Sequence, residues 1–329
     1  MTPVIAPVPV SPAAIAAAVR LLTEGGVVAI PTETVYGLGA VAMNPAAVRR
    51  VFAIKGRPAS HPLIVHLDSA EALPEWAREI PDAAWVLAEH FWPGPLTLVL
   101  PRQPQVPDDV TGGQDSVALR VPAQPVAREL IAAAGPLAAP SANRFGRVSP
   151  TTAAHVLAEL GDEVDMILDA GPCRVGLEST IVGLLDDVPA LLRPGGVTVT
   201  ELEAVLGGPV APPPQGLRAP GRLASHYAPA TPLELVAADA LPQRVAAQGG
   251  SRPRIAVAAH SRDAIAAAEA AGAAVTAMPA DAAEYGRGLY AMLRRLDAAG
   301  HDLILVEAPP ATPEWLAVRD RLGRAAHRD

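Results

Sequence analysis

The residues best suited to chemistry stand at the ends of short apolar runs in the first two hundred positions. Run 27–30 breaks at Pro31 into Thr32-Glu33-Thr34, a helix ends at Lys55-Gly56-Arg57, and a second run, 63–65, delivers His66. Hydroxyls, a carboxylate, two cations and an imidazole thus sit at the mouths of two strands, where open α/β sheets bind ligands. Later strand-end turns add Ser141, Asn143, Ser149 and Ser179 as neutral hydrogen bonders, and Arg120, Arg144, Arg147 and Arg193 as cations. Carboxylates are few: Glu33, and Glu178 beside Ser179. Such a set suits anionic ligands, phosphates and carboxylates above all.

Lys55 is the only lysine; the other 25 of the 26 basic residues are arginine. A compact ammonium on a flexible stem does what a guanidinium does not. Each piece alone has a plainer reading. Lys55 and Arg57 could complement a helix dipole, His66 could be structural, Ser141 and Ser149 could cap a turn and a helix, and Arg193-Pro194-Gly195 could be a surface turn. Their combination in one sheet carries the functional reading. No His/Cys/Asp cluster has metal-ligand spacing, no serine sits in a G-x-S-x-G elbow, and no Walker A sequence is present.

The elements that must hold these groups are marked by their punctuation. Ser11-Pro12 opens a helix that Gly25-Gly26 stops, and Asn44-Pro45 repeats the signal for a helix over 46–54. Strands are expected at 27–30, 62–67, 96–100, 117–121, 137–139, 166–168, 179–184 and 190–192, with Arg120 carried outward among apolar neighbours. Helices are expected at 81–91, 124–134, 151–160 and 199–206. Segment 101–116, with three prolines and two glycines, reads as a long loop. Residues 208–231 read as a linker from their proline and glycine, yet Arg218, Arg222, His226 and Tyr227 crowd into it. Beyond it, strand and helix signals alternate over 232–329, which predicts a small parallel, Rossmann-like domain without a dinucleotide fingerprint.

At 329 residues the chain accommodates two domains. A net charge of −8 gives no global basic field to draw nucleic acid or membrane, though a local basic pocket is compatible with it. The single cysteine, Cys173, excludes an internal disulfide framework and fits a reducing cytoplasm, with the thiol a spectator. The first residues lack the basic start of a signal peptide, and no apolar run reaches the roughly 20 residues needed to span a bilayer. These features predict a soluble cytoplasmic protein.

Seven words in order make the pattern recognisable: PTETVYGLG (31–39), KGRPASHPLIVH (55–66), FWPGPLTLVL (91–100), ALRVPAQP (118–125), APSANRFGRVSPT (139–151), GLESTIVGL (176–184) and LLRPG (191–195). Residues 10–207 resemble the YrdC-like domain of the threonylcarbamoyl-AMP synthases. HYAP (226–229) matches the linker of the two-domain members, and 232–329 their smaller C-terminal domain. The resemblance implies an α/β fold, a YrdC-like twisted open mixed sheet with helices, plus the small Rossmann-like domain. It implies a nucleotidyltransferase that joins L-threonine, bicarbonate or CO2, and ATP into threonylcarbamoyl-adenylate and pyrophosphate, with Mg2+ on the triphosphate. A downstream transferase complex would pass the threonylcarbamoyl group to tRNA.

Carried over by motif, Thr34, His66, Arg120 and Ser179 would hold threonine. Arg57, His61, Ser116, Ser141, Asn143, Ser149, Arg193 and Tyr227 would hold ATP. Lys55, with Arg57, would be catalytic against the phosphates. The chain departs from the family at Pro220–Pro229, which reads PGRLASHYAP without the methionine and first tyrosine of the longer family word, and at His61, where asparagine or serine is common. The linker around Tyr227 is the candidate lid over the site, and Glu33 and Glu178 are expected to brace turns. The rival reading is a double-stranded-RNA-binding module of the same fold, or a weak RNA contact.

Overall fold

Short, mostly buried strands build the sheet that carries the predicted site. The computed structural model describes residues 6–214, 216, 218–221, 223, 225–247 and 254–327. They divide into two units, one of residues 1–145 and 149–222, the other of 146–148 and 223–329. Arg222 lies outside the described residues.

The first unit holds β1 (Val8–Pro9), β2 (Val28–Ile30), β3 (Gly37–Val41), β4 (Ile64–His66), β5 (Leu96–Pro101), β6 (Ser116–Arg120), β7 (Leu137–Ala138), β8 (Met166–Asp169), β9 (Thr180–Gly183) and β10 (Ala190–Arg193). They form one sheet in the order β1-β8-β2-β3-β7-β4-β6-β5-β9-β10. Pairs β1–β8, β2–β8, β4–β6 and β5–β9 are parallel and the rest antiparallel, so the sheet is mixed.

Side chains alternate across it as the two-residue period of a strand demands. Val28 and Ile30 join Leu22, Leu130 and Leu168 in one core, while Val27 and Ala29 join Tyr36, Val51, Val156 and Leu160 in another. Burying each large aliphatic side chain is worth about 1.5–3 kcal/mol. A third core surrounds β4, β5 and β6, with Trp76, Leu87 and Trp92 packed on Leu98 and Leu119.

The helix ends are built by local chemistry. Ser11 Oγ accepts from Ala14 N at 3.1 Å at the start of helix Pro12–Thr23. Asn44 Oδ1 accepts from Ala46 N and Ala47 N at 3.1 and 3.2 Å at the start of helix Pro45–Lys55. That helix stops at Gly56, whose φ of 61° favours glycine, and so delivers Lys55 at a fixed place.

The structure corrects several expectations. Residues 37–41, for which no strand was expected, form β3, antiparallel to β2. The loop 101–116 contains a short helix, Asp108–Thr111. Arg120 is 3% exposed rather than directed outward. At the two ends of the predicted linker 208–231, Leu191 N donates to Ala211 O within the first unit, and Thr231 Oγ1 donates to Asp297 Oδ1 within the second.

The second unit carries β11 (Leu233–Val236), β12 (Ile255–Ala259), β13 (Ala274–Ala277) and β14 (Leu303–Glu307), all parallel, in the order β11-β14-β12-β13. Helix Ala282–Ala298 buries Tyr285, Leu289, Tyr290, Leu293 and Leu296. This is the expected small Rossmann-like sheet. Among the described residues no helix is long and apolar enough to cross a membrane.

Candidate functional site

The turn after β2 is wound by a hydroxyl. Thr32 Oγ1 accepts from Thr34 N and Val35 N, each at 3.2 Å, and donates to Val35 O at 2.5 Å. The turn thereby holds Glu33 and Thr34 against Arg120. That arginine ends β6 in register with His66, which ends the parallel β4, so the two residues leave the sheet side by side. Arg120 Nε donates to Gly94 O at 3.1 Å, Nη1 to Thr34 Oγ1 at 2.9 Å and Nη2 to Glu33 Oε1 at 2.5 Å. The Arg120 and Glu33 side chains are each 4% exposed.

Electrostatics follow from that burial. Desolvation alone would raise the Glu33 pKa, but the Arg120 charge and hydrogen bond more than offset it and hold the carboxyl below its usual range. His66 is pushed the other way. Burial first, and then the Arg120 charge, lower it to about 3, so its imidazole is neutral, and Nδ1 has no hydrogen-bond partner among the described residues. Burial lifts the nearby Cys173 thiol to about 12, which keeps it protonated and unreactive.

Ser179 stands just before β9, its Oγ 2.7 Å from Thr97 Oγ1. Arg193, at the end of β10, clasps it: Nε and Nη2 donate to Ser179 O at 3.1 and 2.8 Å, and Nη2 to Ser179 Oγ at 3.1 Å. Close approach requires glycine at position 195, where a Cβ would lie 2.3 Å from Thr180 N and 2.4 Å from Glu178 O.

The second group forms around the end of helix Pro45–Lys55. Lys55 Nζ donates to Ser141 O at 2.5 Å and Asn143 O at 2.6 Å, and the residue is 2% exposed. Burial, and then the Arg57 charge, push its ammonium well below the usual lysine value, while Glu159 and Glu178 pull it back. Arg57 Nη2 donates to Pro62 O at 2.9 Å, and its guanidinium lies over the Phe145 ring at 5.6 Å. His61 meets the same ring edge-on at 5.3 Å. Ser149 Oγ donates to Glu178 Oε1 at 2.6 Å. Ser116 is buried at the start of β6, opposite Pro101.

The structure therefore joins Thr34 to Arg120, Arg120 to His66, Ser179 to Arg193, and Lys55 to the Ser141 and Asn143 backbone. It does not gather every predicted cation. Arg144 is occupied by Glu163 and by Ile54 O, with its own amide on Glu159 Oε1, and Arg147 belongs to the second unit.

Tyr227 also belongs to the second unit. Its ring meets His226 edge-on at 4.1 Å, stacks on Tyr290 at 5.7 Å and lies under the Arg321 guanidinium at 5.1 Å. Sequence reasoning overlooked Thr97 and Phe145, which lie inside the recognised words but carry no charge. A cavity of about 410 Å³ in the first unit, lined by Asp68, Glu71, Trp85, Glu89, Trp92 and Arg128 among others, contains none of the predicted residues.

The arrangement offers a planar cation for a carboxylate, neutral hydroxyls and imidazole for a small polar side chain, and buried positive groups for phosphates. Glu33 is held ionised by its arginine and His66 is held neutral, so neither is poised near pH 7 as a general base. Positioning and fixed charge are what such a site supplies.

A family model described as "Telomere recombination" (Sua5_yciO_yrdC) matches residues 20–195. Another, described as "Threonylcarbamoyl-AMP synthase, C-terminal domain", matches residues 197–327. The chain is 40% identical over 317 residues to the threonylcarbamoyl-AMP synthase of Pyrococcus abyssi, across 94% of this chain and 93% of that one. It is 40% identical over 327 residues to the Bacillus subtilis enzyme of the same name, across 95% and 92%. The crystal structure of P. abyssi Sua5 complexed with L-threonine matches with a TM-score of 0.89 at 39% identity, covering 98% of both chains.

Proposed function

The chain belongs to the threonylcarbamoyl-AMP synthase family, and on that premise we propose that it joins L-threonine, bicarbonate and ATP into threonylcarbamoyl-AMP and pyrophosphate. It is a nucleotidyltransferase acting in tRNA threonylcarbamoyladenosine formation. The observation that carries the reading at residue level is the buried Arg120, fixed from three sides beside a neutral imidazole and a hydroxyl. A planar fork set among uncharged hydrogen bonders is shaped for the carboxylate and hydroxyl of threonine.

In our reading Thr34, His66, Arg120 and Ser179 hold threonine, and Arg57, His61, Ser116, Ser141, Asn143, Ser149 and Arg193 hold ATP. The threonine amine attacks CO2 and releases a proton, or attacks bicarbonate and expels water, to give a carbamate. The carbamate oxygen then bonds to the α-phosphorus as the bond to the leaving pyrophosphate breaks. Lys55 offsets the charge that grows on that leaving group. Among the described residues no group of three His, Cys, Asp or Glu is arranged to hold a metal ion. We assign Mg2+ to the triphosphate, as part of the substrate.

Carbamates hydrolyse readily, so the burial of Thr34, His66, Arg120 and Ser179 serves the mechanism. The product is for hand-over to a transferase that acts on tRNA. The RNA-binding alternative has no support in a net charge of −8, and the relatives are named as synthases. Mass-spectrometric detection of threonylcarbamoyl-AMP, labelled when the bicarbonate carbon is labelled, tests the proposal. Its absence with all three substrates present would refute it.

A further inference from the structure

A carboxylate that braces an arginine often presents both oxygens to it, in a two-bonded fork. Glu33 does not. Its Oε1 takes a single bond from Arg120 Nη2, and Nη1 turns to Thr34 instead. Among the described residues Glu33 Oε2 is buried without a partner in hydrogen-bond geometry, although the backbone amides of Glu33 and Ala123 lie near enough to favour the ionised carboxyl. Leaving a buried charged acceptor unmet is costly, so such an atom points to a ligand.

Arg120 shows the matching gap. Its three bonds leave two of the five N–H groups of a guanidinium without a partner among the described residues. One open anionic acceptor and two open cationic donors thus lie within a single ion pair. Neither His66, held neutral, nor Cys173, held as a thiol, adds a charge beside the pair. A net-neutral buried pair with an acceptor and donors of opposite sign left open is the complement of a zwitterion.

We infer that Glu33 is a substrate-binding and specificity residue: its Oε1 positions Arg120 for the carboxylate of the amino acid, and its Oε2 accepts from the α-amino group. Both ends of the substrate are then read by the two halves of one buried ion pair. This rests on the proposed function, in which Arg120 binds the threonine carboxylate. It adds a requirement for the amine before any chemistry occurs.

The test is equilibrium binding to the full chain of L-threonine and of β-hydroxybutyrate, which keeps the carboxylate and hydroxyl but lacks the amine. The native protein should prefer threonine by roughly 10- to 100-fold, the range that one hydrogen bond to a charged group supports. Glu33→Gln should lose most of that preference: threonine binding weakens by roughly the same factor, while β-hydroxybutyrate binding changes by less than about threefold. Equal weakening of both ligands would mean that Glu33 acts only through Arg120, and unchanged binding of both would mean that it has no role; either result overturns the inference.

Should Glu33→Gln fail to fold, the native comparison still decides, since equal affinity for the two ligands also overturns it. A native protein that binds no threonine and makes no adenylate would sink the proposed function instead. Native activity with an indifferent Glu33→Gln would sink this inference alone.

Discussion

The neutral state of His66 has a measurable consequence for stability. In the unfolded chain its imidazole takes a proton near the ordinary value of 6.5, and in the folded chain only near about 3. Between those values the unfolded state binds more protons, so acid favours unfolding. The contribution is fully present above about pH 6.5 and is lost as the pH falls toward about 3. At about 1.36 kcal/mol per pH unit, the whole interval corresponds to roughly 5 kcal/mol, of which about 2 kcal/mol is lost by about pH 5.

Other acid-sensitive groups contribute to the same curve, so the native protein must be compared with His66→Gln. Urea unfolding of both, followed through the transition of the first unit at about pH 7.5 and 5, should show the native protein losing about 2 kcal/mol more than the variant. Identical pH dependence would refute the reasoning, because it would mean that the His66 ring reaches water or keeps its proton. The same neutrality predicts no His66 titration in the activity profile between about pH 5 and 8.

Three further outcomes follow from the geometry. Lys55→Arg places a planar guanidinium where Nζ bonds two carbonyls at 2.5 and 2.6 Å, and kcat should fall by roughly 100-fold or more; steady-state rates near the native value would make the lone lysine incidental. Arg120→Lys removes the fork but keeps a charge, so the apparent affinity for threonine should drop by roughly 10- to 100-fold with that for ATP little changed; titrations in which ATP binding falls as far would contradict the assignment. Tyr227→Ala tests the ATP role that the resemblance implies: nucleotide affinity should weaken by about tenfold or more, and an unaltered nucleotide titration would remove Tyr227 from the site.

What could be read from the sequence was what is locally encoded. Ser11-Pro12 and Asn44-Pro45 announced two helices because capping needs only neighbouring residues; helix Val199–Leu206, also expected, starts on a reciprocal cap of Thr198 and Glu201 that sequence reasoning overlooked. The small parallel sheet was legible from apolar runs separated by helical ones. Strand β3 was not, because Gly37-Leu38-Gly39-Ala40 lacks β-branched residues. Its pairing comes from β2, and Gly39 is accommodated where a Cβ would lie 3.3 Å from Val28 O.

The predicted site was legible as a list of groups rather than as a set of partners. Glu33 and Arg120 are 87 positions apart, and nothing local tells that the acid meets this arginine. Arg144 looked equivalent to Arg57 in the sequence, yet its nearness to Glu163 commits it to an exposed ion pair. Words such as PTETVYGLG marked where the site is, and tertiary contact alone decided which member binds which.

The central claim is a reaction with three substrates and one leaving group, so pyrophosphate release is its most direct measure. With L-threonine, bicarbonate, ATP and Mg2+ present, the protein should release pyrophosphate, and omitting any one substrate should reduce release to background. Release that continues at the same rate without threonine would contradict the assignment.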